Sequence, residues 1–452
     1  MEIILARAIP TVYRAGGTTT NHQPPTTNHG ARSAPQYTEG FMDSSEPLLF
    51  RIARWLTFGS AVAIIFSIAA SQILLALALA ALLLSGGRMR LPRIWLPLGL
   101  FLLGTLISLA LSPSPAAGLP QVRKIFVFTT LLVVFSTLRD IVVIRRLFLC
   151  WAGAGTLTAL RGLVQFGRKV QEAHAQGRGF YDFYIAERIT GFTSHWMTFG
   201  GEEMFALLMI TAFLFFACIA RKRAGLWLLC ALLMALALLL GFTRSIWAAS
   251  AGAGIYLLWF RKRVLVPVVP VILLLIAFLA PASIRERFSS MLKPGKLDSN
   301  QHRIVTLRTG LQMVRAHPWF GLGLEEVGLQ FNRYVPPDIP RPLPDGYYGH
   351  LHSIYLQYAA ERGIPTMLLM LWMLGQILWD CLRRIRRLPP GRSDLKFVLH
   401  GAVAVVIATL IAGCFEYNLG DSEVLTMFLV VVGCAYAAMA TAVETGTDTA
   451  VA

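Results

Sequence analysis

The sequence predicts an all-α, polytopic helical membrane protein, with about 12 transmembrane helices and a large, partly helical periplasmic loop. Three observations carry that prediction. Of the 452 residues 56% are hydrophobic and only 14% charged, with a mean hydropathy of +0.60, whereas a soluble chain carries close to twice that charge. Apolar runs of roughly 15–22 residues recur from Leu56 to Ala440, each long enough to cross a hydrocarbon core of about 30 Å at 1.5 Å per residue. Barrel-type alternation is not seen, so helices must satisfy the backbone inside lipid.

Taken in order, residues 1–47 are rich in Thr, Pro, Gly and Asn and read as a disordered cytoplasmic tail. No apolar run of signal-peptide type ends in a cleavage site there, and Met42 is an alternative start to Met1. Helices 1–9 are expected over residues 48–281, with apolar segments at about 53–69, 71–86, 94–112, 124–138, 145–165, 201–220, 224–241, 245–260 and 264–281. A loop over 282–363 follows, then helices 10–12 over 364–443, with apolar segments at about 364–382, 396–415 and 424–442. Residues 444–452 form a second cytoplasmic tail.

The net charge of +17 is distributed as topology rather than as a nucleic-acid footprint. Arg88, Arg90 and Arg93 follow the second segment, and Arg139, Arg145 and Arg146 the fourth. Residues 221–223 follow the sixth, 261–263 the eighth, and Arg383, Arg384, Arg386, Arg387, Arg392 and Lys396 the tenth. Every cluster comes after an even-numbered segment, so all lie together on the cytoplasmic side and both termini are inside. The long connections at about 166–200 and 282–363 then face outward. The larger has ten basic residues against seven acidic ones, and the two together hold six of the nine histidines. All six cysteines fall in or beside apolar segments, so neither a disulfide framework nor a cysteine metal site is indicated.

Polar chemistry is thus concentrated on one side. Within the large loop, Arg303 to Ala316 reads as an amphipathic helix with Ile304, Leu307, Leu311 and Val314 on one face, lying on the membrane or capping the bundle. Its arginines Arg303, Arg308 and Arg315 read equally as a solvated face. His317-Pro318 stops the helix, and Gly321-Leu-Gly323 makes a turn. Arg244, in GFTRSIW, lies within about a turn of apolar sequence on both sides. A guanidinium at that depth is costly and usually has a partner or ligand, and its planar fork suits phosphate oxygens. Snorkelling to outer headgroups is the bland alternative. His352 is expected to start a helix on which Tyr355, Leu356 and Ala359 share its face, where a neutral imidazole can take a proton from a sugar hydroxyl. His350 raises a metal alternative, disfavoured because side chains two apart on a helix point about 200° from each other unless His350 is still in the loop. No third ligand is evident by spacing.

Some classes are excluded. There is no G-x-x-x-x-G-K loop for an ATP-driven pump and no Asp-x-Asp pair for a metal–nucleotide sugar. Intramembrane carboxylates of proton-relay kind are few: Glu202, Glu203, Glu416, Asp421 and Glu423 all sit near outer segment ends. A transporter or flippase would show midplane charges and paired halves, and no internal repeat is convincing. A non-catalytic scaffold would leave Arg244 without a purpose.

Arg303-Ile-Val-Thr-Leu-Arg-Thr-Gly-Leu, His317-Pro-Trp-Phe-Gly-Leu-Gly, His352-Ser-Ile-Tyr-Leu-Gln and Gly363-Ile-Pro together resemble the O-antigen ligase / O-antigen polymerase superfamily of bacterial membrane glycosyltransferases. The Thr243-Arg244-Ser245 turn also resembles the family's arginine after its middle spans, and the resemblance covers about residues 120–440. Ser353 departs from the Asn common there, which puts a side-chain amide contact in doubt. The resemblance implies a GT-C-like fold in the bacterial inner membrane with a site facing the periplasm. It further implies transfer of a glycan from undecaprenyl diphosphate to an acceptor hydroxyl, on lipid A-core or another glycan, without cofactor, metal or nucleic acid. In that scheme His352 is the catalytic base, and Arg244, Arg188 and Arg303 bind the diphosphate. Ligase and polymerase share the donor and differ in acceptor, so an O-antigen or exopolysaccharide polymerase stands as the alternative. A single displacement without a carboxylate nucleophile inverts the anomeric centre.

Overall fold

Each of the twelve apolar segments overlaps a helix in the computed structural model, the first also crossing the 64–67 connection between two helices; the structure describes residues 46–279, 285, 299–389 and 391–444. No strand occurs among them. The tail expected over 1–47 lies almost wholly outside the described residues, as do 445–452 and much of the loop between 280 and 298, Lys293 and Lys296 included.

The helices are α1 (Leu48–Ala63), α2 (Ile68–Leu84), α3 (Trp95–Ala110), α4 (Pro115–Thr137), α5 (Ile141–Ala175), α6 (Phe180–Ala186), α7 (Trp196–Phe216) and α8 (Arg221–Leu240). They continue as α9 (Arg244–Lys262), α10 (Val268–Leu279), α11 (Ser299–Ala316), α12 (Glu326–Tyr334), α13 (Ile354–Arg386), α14 (Ser393–Gly413) and α15 (Ser422–Glu444). Seven of them, α4, α5, α7, α8, α13, α14 and α15, are long and apolar enough to cross a membrane. Helices α2 and α3 are shorter apolar helices.

Helices α7, α14 and α15 are buried along most of their length, while α8 turns most of its surface outward. Small residues let these helices approach, as expected where packing rather than hydrophobicity drives association in lipid. Gly401 of α14 meets the Met209 side chain of α7, and Gly252 of α9 meets Ile411 of α14. At one end of the bundle the basic clusters are tied together. Arg145 pairs with Asp394 at 3.0 Å, Thr441 Oγ1 donates to the Arg139 carbonyl at 2.6 Å, and the Arg90 amide donates to Ser136 Oγ at 3.0 Å.

At the opposite end α13 is broken. Gly363 takes φ +82° and ψ +161°, and Pro365 has no N–H to return to the Glu361 carbonyl. Segment 318–323 repairs the break. Ile364 N–H donates to the Pro318 carbonyl (2.8 Å), while Leu322 and Gly323 N–H donate to the carbonyls of Ala360 (2.8 Å) and Glu361 (3.0 Å). Ser108 Oγ adds a 2.6 Å bond to the Glu361 carbonyl. The two family-like motifs, Pro-Trp-Phe-Gly-Leu-Gly and Gly-Ile-Pro, are therefore two sides of one backbone junction.

Helix α11 is longer than expected, beginning at Ser299. Val305, Thr306, Thr309 and Met313 face the interior, while Ile304, Leu307 and Leu311 are exposed. A 3–4 spacing identifies an apolar stripe but does not say whether protein or another apolar phase covers it. The inner face here also accepts threonines, whose hydroxyls can bond back to the helix, as Thr306 Oγ1 does to the Arg303 carbonyl at 3.1 Å.

Candidate functional site

A cavity of about 910 Å³ opens at the end of the bundle away from the basic clusters. Its wall includes Arg188, Arg244, Arg303 and His352, four residues from separate stretches of the chain.

Arg244 is the first residue of α9 and is 8% exposed. The turn before it is held by Phe242, whose backbone is left-handed (φ +49°) and whose buried ring packs edge-on against Tyr184. Tyr184 in turn donates to the Leu240 carbonyl at 2.6 Å. Arg244 Nη2 donates to Asn300 Oδ1 of α11 at 2.7 Å. Arg188 lies over the Trp196 ring, 5.1 Å from its centroid. Arg303 Nη2 donates to Glu416 Oε1 at 2.7 Å.

His352 differs from its expected place. It does not sit on a helix face with Tyr355, Leu356 and Ala359. Ser353 is the N-cap of α13, its Oγ accepting the Leu356 N–H at 3.5 Å, and His352 precedes it with left-handed backbone, φ +50°. Ser353 thus does what Asn also does well at this position, capping the helix. Gln357 reaches back to the Leu351 N–H at 2.8 Å, fixing the loop on the helix start.

With both histidines in the loop, the rings of His350 and His352 lie 4.3 Å apart and those of His302 and His352 5.0 Å. His302 Nε2 is 2.9 Å and His352 Nε2 3.3 Å from the Tyr347 carbonyl. Among the described residues no set of three His, Cys, Asp or Glu is arranged to hold a metal ion.

Sequence reasoning placed Glu416 near an outer segment end but gave it no part. It is the hub of this wall. It is 5% exposed, accepts from Arg303 and from Ser245 Oγ (3.1 Å), and its Oε2 is 3.8 Å from His352 Nδ1. Burial alone would raise its pKa. The interactions with His352, Arg303 and Ser245 outweigh burial and hold the carboxyl below its ordinary range. Burial, and after it the proximity of the His352 ring, pushes His302 and His350 down to about 4, so both are neutral at pH 7. Burial also lowers His195, against the pull of Asp421 and Glu416. His195, His302, His350, Glu325 and Lys124 line the cavity as well and were not chosen from the sequence. The available signal was six histidines gathered in two loops, which marks a region rather than residues.

The cavity wall therefore carries three guanidinium groups able to meet an anion, with an imidazole beside a buried carboxylate that stabilises positive charge on the ring once a proton is taken up. The sequence of residues 229–371 matches the Wzy_C family, described as O-antigen ligase. No curated protein matches the chain.

Proposed function

We propose that this membrane protein, whose residues 229–371 match the O-antigen ligase family, transfers a glycan from undecaprenyl diphosphate to an acceptor hydroxyl at the periplasmic face of the bacterial inner membrane. The observation that carries the reading is the shared cavity of Arg188, Arg244, Arg303 and His352. Support for the periplasmic side comes from the basic clusters, which gather at the other end of the bundle and mark the cytoplasmic face. A lipid-borne donor reaches such a site through the bilayer.

His352 takes the proton of the acceptor hydroxyl as its oxygen attacks the anomeric carbon. The new C–O bond forms while the bond from that carbon to the diphosphate oxygen breaks, inverting the centre. The leaving diphosphate keeps the bonding electrons, and fixed guanidinium groups stabilise the charge that develops on it. Glu416 anchors Arg303 and stabilises the imidazolium, while Arg244, held by Asn300, and Arg188, over the Trp196 ring, present guanidinium groups to the phosphate oxygens.

Complementation tests the reading. Bacterial hosts lacking either their O-antigen ligase or their polymerase receive the wild-type chain, His352→Ala or Arg244→Ala, and surface glycan banding is compared. Capped lipid A-core in the first host supports ligation, and lengthened chains in the second support polymerisation. Full activity of both variants would refute the assigned roles.

A further inference from the structure

The cavity has a second end that the proposed transfer chemistry does not use. Gln121 and Lys124 reach it from α4, Glu325 from the segment before α12, Glu361 from α13, and Asn418 and Asp421 from the turn between α14 and α15. We infer that these six residues form the acceptor subsite, and that it takes an uncharged sugar and rejects one bearing phosphate or carboxylate. The inference rests on the glycosyl-transfer reading above.

Unmet hydrogen bonds are the first argument. Asn418 is 9% exposed and Glu361 1%, yet Asn418 Nδ2 and Glu361 Oε2 have no hydrogen-bond partner. Glu361 Oε2 lies 3.0 Å from Arg362 Nη1, but without the geometry of a hydrogen bond. Each such buried atom costs about 1–3 kcal/mol, and native proteins leave few of them. Glu361 Oε2 has the Arg362 guanidinium beside it as an ion-pair partner, so the unmet group is the Asn418 amide, a neutral donor from which a sugar hydroxyl can accept while giving its own proton to a carboxylate.

Backbone conformation gives the second argument. Among the described residues the non-glycine positions with positive φ are Phe242, Glu325 and His352. Phe242 sets the turn that presents Arg244, and His352 is the proposed base. Glu325, at φ +66°, is the third, and it lines this end of the cavity. A glutamate held in that region costs of order 1–3 kcal/mol, and such strain gathers at ligand sites.

Charge gives the class of ligand. Glu325 is held by the side-chain amide of Gln121, and its own N–H donates to Glu361 Oε1 at 3.3 Å. Asp421 is held by the Thr198 hydroxyl and by the N–H groups of Glu423 (3.0 Å) and Val424 (3.3 Å). Neutral donors fix both carboxylates without cancelling their charge. The Lys124 ammonium donates to the Gly420 carbonyl at 2.6 Å, which fixes it on the wall. Glu325, Glu361 and Asp421 outnumber the two cations here, the Lys124 ammonium and the Arg362 guanidinium that pairs with Glu361 at 3.0 Å, whereas guanidinium groups dominate around Arg244. An anionic sugar is therefore drawn to the donor end and repelled at this one.

Binding by the purified full-length protein in lipid nanodiscs tests this without any turnover. Saturation-transfer NMR would compare a neutral panel (cellobiose, lactose and chitobiose) with cellobiouronic acid, and calorimetry would follow inorganic pyrophosphate at the other end. A member of the neutral panel should bind at least 10-fold more tightly than the uronic acid. Asn418→Ala and Glu325→Gln should each weaken it about 10-fold while pyrophosphate binding is unchanged, and Glu325→Lys should narrow the preference. Equal binding of neutral and acidic disaccharides, unchanged neutral binding in Asn418→Ala and Glu325→Gln, or no binding of any neutral saccharide by protein that still binds pyrophosphate would each overturn the subsite. Failure of pyrophosphate alone would count against the donor assignment and leave the saccharide comparison decisive for this one.

Discussion

Glu416 accepts a 2.7 Å hydrogen bond from Arg303 and places its other oxygen 3.8 Å from Nδ1 of His352. One buried acid from the turn between α14 and α15 thus holds a guanidinium from α11 and adjoins an imidazole from the loop before α13. Replacing it should do two separable things. Glu416→Gln keeps the shape and removes the charge, so glycan transfer should fall roughly 100-fold. Glu416→Ala also strands Arg303 and Ser245, and should cost a further 1–3 kcal/mol or so of stability. Transfer assays on membranes, paired with thermal unfolding of purified protein, separate the two effects. Wild-type transfer by Glu416→Gln would remove the acid from the mechanism.

Arg244 and His352 should fail in different ways. Loss of the base should lower transfer by about 10²–10⁴-fold with donor binding retained. Loss of the guanidinium should lower transfer by about 10²–10³-fold and weaken binding of a lipid diphosphate. Arg244→Lys should not restore activity, because the ammonium lacks the fork that meets Asn300 and phosphate oxygens together. Binding of a lipid diphosphate to each variant, measured beside its turnover, checks the distinction.

The sequence went far toward the fold because lipid imposes simple demands: long apolar runs and one-sided basic clusters follow from the hydrocarbon thickness and insertion topology. Arg244 was legible because a guanidinium flanked by apolar sequence is conspicuous. What covers the apolar face of α11 was not legible: Ile304, Leu307 and Leu311 share a face as expected and are exposed, and periodicity alone does not distinguish a stripe against protein from one against another apolar phase. Glu416 stayed illegible for a different reason. Its partners Ser245, Arg303 and His352 lie 171, 113 and 64 positions earlier in the chain, and no local pattern reports a contact made over such separations.

The two histidines around His352 should make the protein acid-sensitive. His302 and His350 are held down to about 4 by burial, against about 6.5 in an unfolded chain. Between those values the unfolded state binds protons that the folded state does not. Their contribution to stability is therefore complete above about pH 6.5 and is lost as the pH falls toward 4. The melting temperature should decline across that window, and the decline should be shallower in His350→Asn, which cannot titrate there. An identical pH slope in that variant would contradict the assignment.

The junction between segment 318–323 and the break in α13 should tolerate no Cβ. At Gly363 the backbone is left-handed, and an added carbon would fall on the Trp319 carbonyl. Main-chain atoms cannot swing aside as a flexible side chain can. Gly363→Ala should therefore displace the loop that carries Glu325 as well as strain its own backbone, with a cost of about 2 kcal/mol or more. Gly375→Ala, about three turns further along the regular part of α13 with nothing within 4 Å of its added carbon, is the control. There the helix gains propensity, and stability should stay level or rise by about 0.5–1 kcal/mol. The comparison separates a general intolerance of α13 from a demand made by the junction. If both alanines were equally harmless, the contacts from Leu322 and Gly323 to α13 would not be what positions the cavity wall.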